Sequence, residues 1–433
     1  MHCDTILLAS KLLPDAYSPP LSQAALAIAQ GRILAIGTQK NILADFSTDS
    51  VRDLGCALIV PGFVNAHTHV AMTYLRGYAD DMQLMPWLTE KIFPKEAQLT
   101  PEIVYTFSLL GFAEMLRCGT TSCMDMYLFE EEVFRAAYDC GIRLRAGEGV
   151  FFFPSVSSPN AEAALAKTLE LAETYANTSR LSAVISPHSL YTTDPGILEA
   201  CMDVAERYEL PIHMHVAESS DETRQVVERY GMRPLPFCQH LGLFSHTLSL
   251  AHVVDTTDED YALLASAKNC VCITNPTSNM KLASGICHLS RFATENIPTA
   301  LGTDGAASNN SLNMVNAMNH CALIHKVWQN DPTCMDAQTV FAMATTGGAR
   351  ALALPDIGRL APGMRADLAV FDLQAPNLCP CYNPVSHLVY AASGHEVILT
   401  MVDGTILYDH GTFTTFSYEE LLRHIQTLLA KAS

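Results

Sequence analysis

Between residue 61 and about residue 350 the chain alternates short apolar runs with helix-like segments. The apolar runs read as buried strands, and they end near His67, Met124, Ala146, Pro187, His215, Val253, Thr274 and Asp304, eight in all. The helices between them have legible ends. Thr100-Pro101-Glu102 supplies an N-cap, a proline at the first helical position and an acidic first turn, and Gly119 follows the basic Arg117 of the last turn. Asp194-Pro195 opens another helix, which should run to about Glu209 before Pro211 begins the next strand. Eight strands interleaved with helices predict an α/β fold, a (β/α)8 TIM-like barrel over residues 61–361.

Both flanks carry a different pattern. Short strand-like stretches with turns, such as Thr5-Ile6-Leu7-Leu8 and Arg32-Ile33-Leu34-Ala35-Ile36-Gly37, fill residues 1–60. The stretches Asp367-Leu368-Ala369-Val370-Phe371 and Thr400-Met401-Val402-Asp403-Gly404 do the same after the barrel. Neither flank is large enough for a sheet alone. Residues 1–60 and 362–433 are therefore expected to join in one small β-sandwich domain built from both termini, with a polar helix from about Ser417.

Composition narrows the function. With 433 residues, 49% apolar and 16% charged, the chain is globular and long enough for a barrel plus an accessory domain. A formal charge of −19, from 26 basic and 45 acidic residues, argues against nucleic acid or anionic membrane as partners, since both require positive surface. A small neutral or zwitterionic substrate suits it better, and a homo-oligomer is left open. Met1-His2-Cys3-Asp4 lacks the basic start of a secretory signal, and no run approaches the roughly 18 apolar residues of a membrane span. The fourteen cysteines show no repeated spacing; the pairs Cys270/Cys272 and Cys379/Cys381 are too few and too isolated for a thiolate zinc site. They read as reduced core residues of a cytoplasmic protein.

The chemistry lies where the strands end. His67 and His69 are two residues apart, so in a strand their imidazoles share a face. In such barrels the active site gathers at the C-terminal strand ends. His67 and His69 on the first strand, His215 on the fifth and Asp304 on the eighth all fall there. Three imidazoles and a carboxylate suit one divalent metal ion with a position left for water; zinc comes first, with iron(II) and manganese(II) accepted by the same set. His213 shares a face with His215 and competes with it as a ligand, but Glu218, three residues past His215, favours the latter by entering the same mouth as a proton carrier. Glu218 could instead serve as a first-turn acid for the helix beginning near Ser219. His252 ends the sixth strand, where an imidazole beside an ionised water can accept a proton near neutral pH.

These motifs resemble the amidohydrolase superfamily and, within it, the 5-methylthioadenosine/S-adenosylhomocysteine deaminase family. The resemblance rests on PGFVNAHTH at 61–69, LRGYADD at 75–81 with Trp87, Glu96, PHS at 187–189, HMHVAE at 213–218, NPTSN at 275–279 and LGTDGAASNNSLN at 301–313. GRLAPGMRADL at 358–368 is common to many superfamily members and separates none of them. The resemblance implies that His67, His69, His215 and Asp304 hold the metal, that Glu218, His252 and Asp304 move protons, and that Glu96 and His188 contact a nucleoside. Glu218 and Asp304 would touch the substrate as well. Read on its own, Pro94-Lys95-Glu96 is a solvated loop, although a carboxylate there can accept from both ribose hydroxyls. Trp87 is either a lid aromatic over the base or plain packing.

The fourth strand carries no lysine, so the carbamylated bridge of two-metal relatives has no source and a single metal is expected. Some relatives place arginines after the third strand to meet an amino-acid carboxylate. Here the stretch reads GEGVFFFP at 147–154, acidic and then apolar, with Arg224 a substitute from the loop after the fifth strand. Methylthioadenosine or adenosine is thus preferred over S-adenosylhomocysteine. The alternative is a related deaminase or dechlorinase acting on guanine, 8-oxoguanine, cytosine or a triazine. A non-enzymatic barrel would need a broken ligand set, and a phosphate-handling barrel would need a glycine-rich cradle that is missing.

Overall fold

The computed structural model describes residues 1–432. Its inner strand positions are β1 (Phe63–Thr68), β2 (Thr120–Tyr127), β3 (Arg143–Val150), β4 in two pieces (Leu181–Ala183 and Ser186–Pro187), β5 (Ile212–Val216), β6 (Leu248–His252), β7 (Cys270–Thr274) and β8 (Thr299–Leu301). All pair in parallel with their chain neighbours, β1 to β4 in one sheet and β5 to β8 in another. Most are buried along their whole length, which is why they read as unbroken apolar runs without a polar face.

Single contacts suture the two sheets. On one side Ile185 bridges Ile212 and Ser189 bridges His215. On the other, Asp304 N donates to His67 O at 2.9 Å and Thr303 N to Asn65 Oδ1 at 3.0 Å. The arrangement is a mixed α/β, TIM-barrel-like fold, but among the described residues the ladder does not close continuously. The interruption is local: β4 is broken around Val184-Ile185, and β8 lasts three residues before the chain turns into the site. Helix ends fall where capping chemistry put them. Pro101–Arg117 is capped by Thr100 Oγ1, and Pro195–Tyr208 by Asp194 Oδ1.

The two chain ends do meet in one sheet. Its nine strands include Thr5–Leu12, Leu21–Ala29 and Arg32–Thr38 from the N-terminal flank and Val397–Val402 and Thr405–Asp409 from the C-terminal flank. Ala57–Pro61 joins them, pairing in parallel with Thr5–Leu12 and antiparallel with Leu368–Asp372. Two stacked layers were expected; by hydrogen bonding the region is one continuous sheet, because Ala57–Pro61 uses both its edges to zip the flanks side by side. Side-chain alternation then serves two cores. Leu58, Val60, Ala369 and Phe371 pack into the main core, where Phe371 meets Phe63 of β1 edge-on at 6.1 Å. Ile59, Leu368 and Val370 build the sheet's own core on the other face. Ten of the fourteen cysteines are buried, and no helix among the described residues is long and apolar enough to cross a membrane. The chain closes with the helix Tyr418–Ala432.

Candidate metal centre and active site

His67, His69, His215 and Asp304 do come together, at the C-terminal end of the inner strands. His69 Nε2 and His215 Nε2 lie 3.2 Å apart, and Asp304 Oδ1 is 3.5 Å from His67 Nε2 and 3.4 Å from His69 Nε2. The ligand atoms of His67, His69 and Asp304 all fall within 4.8 Å of one another, as do those of His67, His215 and His252. All five side chains are buried.

The opposite ring nitrogens fix the tautomers. His69 Nδ1 donates to Met126 O at 2.5 Å and His215 Nδ1 to His188 O at 2.7 Å; a carbonyl only accepts, so each Nε2 keeps its lone pair. His67 Nδ1 lies 2.8 Å from His213 Nε2, and His213 Nδ1 lies 3.1 Å from Ser249 Oγ. His67 Nε2 itself is buried with no hydrogen-bond partner. The lone pairs of His69 and His215 face each other, and His67 Nε2 is left unsatisfied beside them. A divalent cation resolves both problems, so the donor set fits one. Burial first, and then the neighbouring imidazoles, push His67 down to about 4 and His215 well below the ordinary histidine value, which keeps both rings neutral for binding. Asp304 stays ionised: burial alone would raise its carboxyl, but the close approach of His67 and the other imidazoles around it hold it well below the usual range.

Backbone strain holds these ends in place. Asp304 (φ +65°), His252 (φ +75°), Val253 (φ +47°) and Ala217 (φ +55°) all adopt left-handed conformations, each costing of order 1–3 kcal/mol. At Gly302 a Cβ would sit 2.5 Å from Asn275 Oδ1 and 2.9 Å from His67 N, so only glycine lets β8 press against β1 and deliver Asp304. Ser278 and Ser308 hydroxyls donate to Asp304 Oδ2 at 2.6 and 2.9 Å and leave Oδ1 facing the imidazoles.

Glu218 follows β5 and is buried, pushed up to about 8 by desolvation and then by the charge of Asp304. It is therefore protonated at neutral pH. The first-turn acids of the helix Ser220–Tyr230 are instead Asp221 and Glu222, the latter accepting from Ala217 N and Glu218 N, while Ser219 is the N-cap. Glu218 is left free for the cavity. His252 Nδ1 is committed to Asn279 Oδ1 at 2.8 Å, and its Nε2 faces Glu218 Oε2 at 3.8 Å.

A cavity opens over these groups, lined by His69, His215, Glu218, His252 and Asp304. Glu96 also lines it; the helical turn Phe93–Glu96 buries the carboxyl and pushes it up to about 7. The solvated loop that Pro94-Lys95-Glu96 suggests is not what forms. His188 lines the same space, its Nδ1 bonded to Thr192 Oγ1 at 2.8 Å and its ring 4.9 Å from that of Phe151. Trp87 is buried and lines the cavity, and its Nε1 donates to Ala79 O at 3.0 Å. Arg224 does not reach it: the side chain is 65% exposed and paired with Asp221 at 2.9 Å. Sequence reasoning missed Tyr127, Phe151 and the supporting Ser278, Asn279 and Ser308; the runs 275–279 and 301–313 contain the last three, but nothing in them gives their direction.

The amidohydrolase family model matches residues 58–407, and the chain belongs to the amidohydrolase family. Within it, the chain is 50% identical over 420 residues to the 5-methylthioadenosine/S-adenosylhomocysteine deaminase of Lawsonia intracellularis, covering 97% of this chain and 95% of that one. The protein of that name from Nitratidesulfovibrio vulgaris (strain DSM 19637 / Miyazaki F) is 50% identical over 425 residues, covering 98% and 96%. Among solved structures, an adenosine deaminase from Xanthomonas campestris with bound zinc superposes with a TM-score of 0.95 at 32% identity, covering 99% of this chain and 98% of that one.

Proposed function

We propose that the protein hydrolytically deaminates an adenine nucleoside at C6, giving the inosine analogue and ammonia. The observation that carries this is one cavity lined together by His69, His215, Asp304, Glu218 and Glu96: ligand atoms, a protonated acid and a ribose acceptor in one space. Relatives named 5-methylthioadenosine/S-adenosylhomocysteine deaminase and a zinc-containing adenosine deaminase support the same reading. Residues 61–361 are then the hydrolase unit, a (β/α)8 barrel, and residues 1–60 with 362–433 its accessory unit.

His67, His69, His215 and Asp304 would hold the cation, zinc first and iron(II) or manganese(II) next. Held there, such an ion supplies a solvent nucleophile ionised near neutral pH. Glu218, carrying its proton at pH 7, donates to ring N1, which drains electron density from C6 as the nucleophile adds. His252, with Nδ1 occupied by Asn279, has Nε2 available to take the nucleophile's proton, and Asp304 orients the nucleophile with it. His252 then gives that proton to the amino group at C6, Glu218 takes back a proton from the new C6 hydroxyl as the carbonyl forms, and ammonia leaves with both side chains restored. Glu96 grips the ribose hydroxyls, which relieve the cost of burying its carboxylate. His188 and Trp87 wall the nucleoside.

Ammonia release from adenosine, methylthioadenosine and S-adenosylhomocysteine, set beside guanine, 8-oxoguanine, cytosine and a chlorotriazine, tests the reading. Release is expected from the adenine nucleosides only. Turnover of a free base or triazine with none of the nucleosides would replace this reading with its rival.

A further inference from the structure

Three carboxyls that the proposed reaction does not use are buried behind the metal centre: Asp125 on β2, Glu130 at the start of the helix Glu130–Cys140, and Glu148 on β3. Part of this cluster is accounted for. Asp125 Oδ1 accepts from Val70 N at 2.7 Å, and Glu148 accepts from Glu130 N at 3.0 Å and from the hydroxyls of Ser157 and Ser158. Asp125 Oδ2 and both oxygens of Glu130 are buried with no hydrogen-bond partner. Among the described residues no lysine or arginine pairs with Asp125 or Glu130.

The side chains of Asp125 and Glu130 are nonetheless within hydrogen-bond reach of each other. Two carboxylates have no hydrogen to share, and in so dry a place they repel. One proton between them removes one of the charges and gives Asp125 Oδ2 and a Glu130 oxygen a partner each. The surroundings decide which group carries it. An N–H donor favours the ionised form of its acceptor, and Val70 N is bonded to Asp125. Burial, and then the charges of Asp125 and Glu148, push Glu130 well above the usual carboxylate range.

Position gives this pair its consequence. Val70 opens the 3₁₀ turn Val70–Leu75, and His69, at its N-cap, offers the turn no side-chain bond. Asp125 supplies the missing acceptor from β2. The next residue of β2, Met126, takes the His69 ring through its carbonyl. Adjacent residues of one strand thus hold both the imidazole and the backbone just past it.

We propose that Glu130 is a positioning residue for the metal: as a carboxylic acid it donates to Asp125 Oδ2, steadies the carboxylate that holds Val70 N, and so sets the direction of His69 Nε2. The inference rests on His69 as a ligand of the cation.

The test uses zinc as the probe ion. Glu130→Leu removes the donor and should weaken zinc binding in a chelator competition by about 10–100-fold, with KM of the zinc-loaded protein little changed. A merely structural role would lower the melting temperature and leave the zinc affinity of the folded protein alone. Glu130→Gln keeps an N–H donor of the same reach and should restore zinc binding. In Asp125→Leu/Glu130→Leu the loss should be no greater than in Asp125→Leu alone, since Glu130 acts through Asp125. An infrared difference spectrum of the zinc-loaded protein against Glu130→Gln should contain the carbonyl stretch of a buried, un-ionised carboxylic acid, a readout that does not need Glu130→Leu to fold. Absence of that band at neutral pH, unchanged zinc affinity in folded Glu130→Leu, or additive losses in the double variant would overturn the proposal. His69→Ala separates it from the ligand reading. Zinc affinity unchanged there as well would remove His69 as a ligand; zinc lost there but kept in Glu130→Leu would remove only the role of Glu130.

Discussion

Arg143 opens β3 and the metal-ligating candidates lie beyond the opposite strand ends, so two buried charged groups occupy the two ends of the inner sheets. Only 2% of the Arg143 side chain is exposed. Its Nε and Nη2 donate to Asp367 at 2.7 and 3.1 Å, Nη2 also to Asp403 at 2.6 Å, and Nη1 to Ser179 O at 2.8 Å. Burial alone would lower its pKa; the two aspartates outweigh that and hold the guanidinium charged. At the other end, His67 Nε2 has no partner and the Nε2 atoms of His69 and His215 face each other. One group is complete in itself and ties the inner strands to the terminal sheet. The other is left incomplete by its own protein, which is the mark of a site waiting for something that is not protein.

Breaking each end should therefore have opposite consequences. Asp304→Ala removes the only carboxylate among the proposed ligands and should lower turnover about 1,000-fold, with elemental analysis showing the metal lost and the melting temperature little changed. Arg143→Met should do the reverse. It strands Asp367 in the interior at a cost of about 3–5 kcal/mol in denaturant unfolding, while kcat of the folded fraction stays near that of the unaltered protein. If Arg143→Met kept full stability, the distinction between the two ends would fail.

Two smaller effects sharpen the mouth itself. Glu218→Gln should keep its metal and lose turnover by about 100-fold. Because the protonated form of Glu218 is the active one, activity in the unaltered protein should be present below its pKa of about 8 and fall as pH rises through it. That alkaline limb should vanish from the residual activity of Glu218→Gln. Smallest of all, His213→Gln should weaken metal affinity about 10–100-fold in a chelator competition, since it removes the ring that orients His67 without touching the ion.

Much of this was legible in the sequence, and what was not has physical causes. Period and capping marked the helices at Thr100 and Asp194 to the residue, and the i, i+2 spacing put His67 and His69 on one face. The same spacing put His213 and His215 on one face, and it was Glu218, three residues past His215, that favoured His215 as the ligand. Glu96 looked solvated because it follows Pro94-Lys95, yet the turn Phe93–Glu96 points it inward. That the terminal strands join in one hydrogen-bonded sheet was hidden because nothing local reveals that Ala57–Pro61 is shared by both flanks. Arg143 finds Asp367 across 224 residues, a pairing no window of sequence displays.

The central claim is that His67, His69 and His215 turn three lone pairs, together with Asp304, on one cation. Anomalous diffraction from crystals of the metal-loaded protein tests it most directly. A single peak is expected, about 2.0–2.2 Å from Nε2 of each of the three histidines and from an Asp304 carboxylate oxygen. A peak ligated by His213 in place of His215, or no peak at this position in protein that is releasing ammonia, would contradict it.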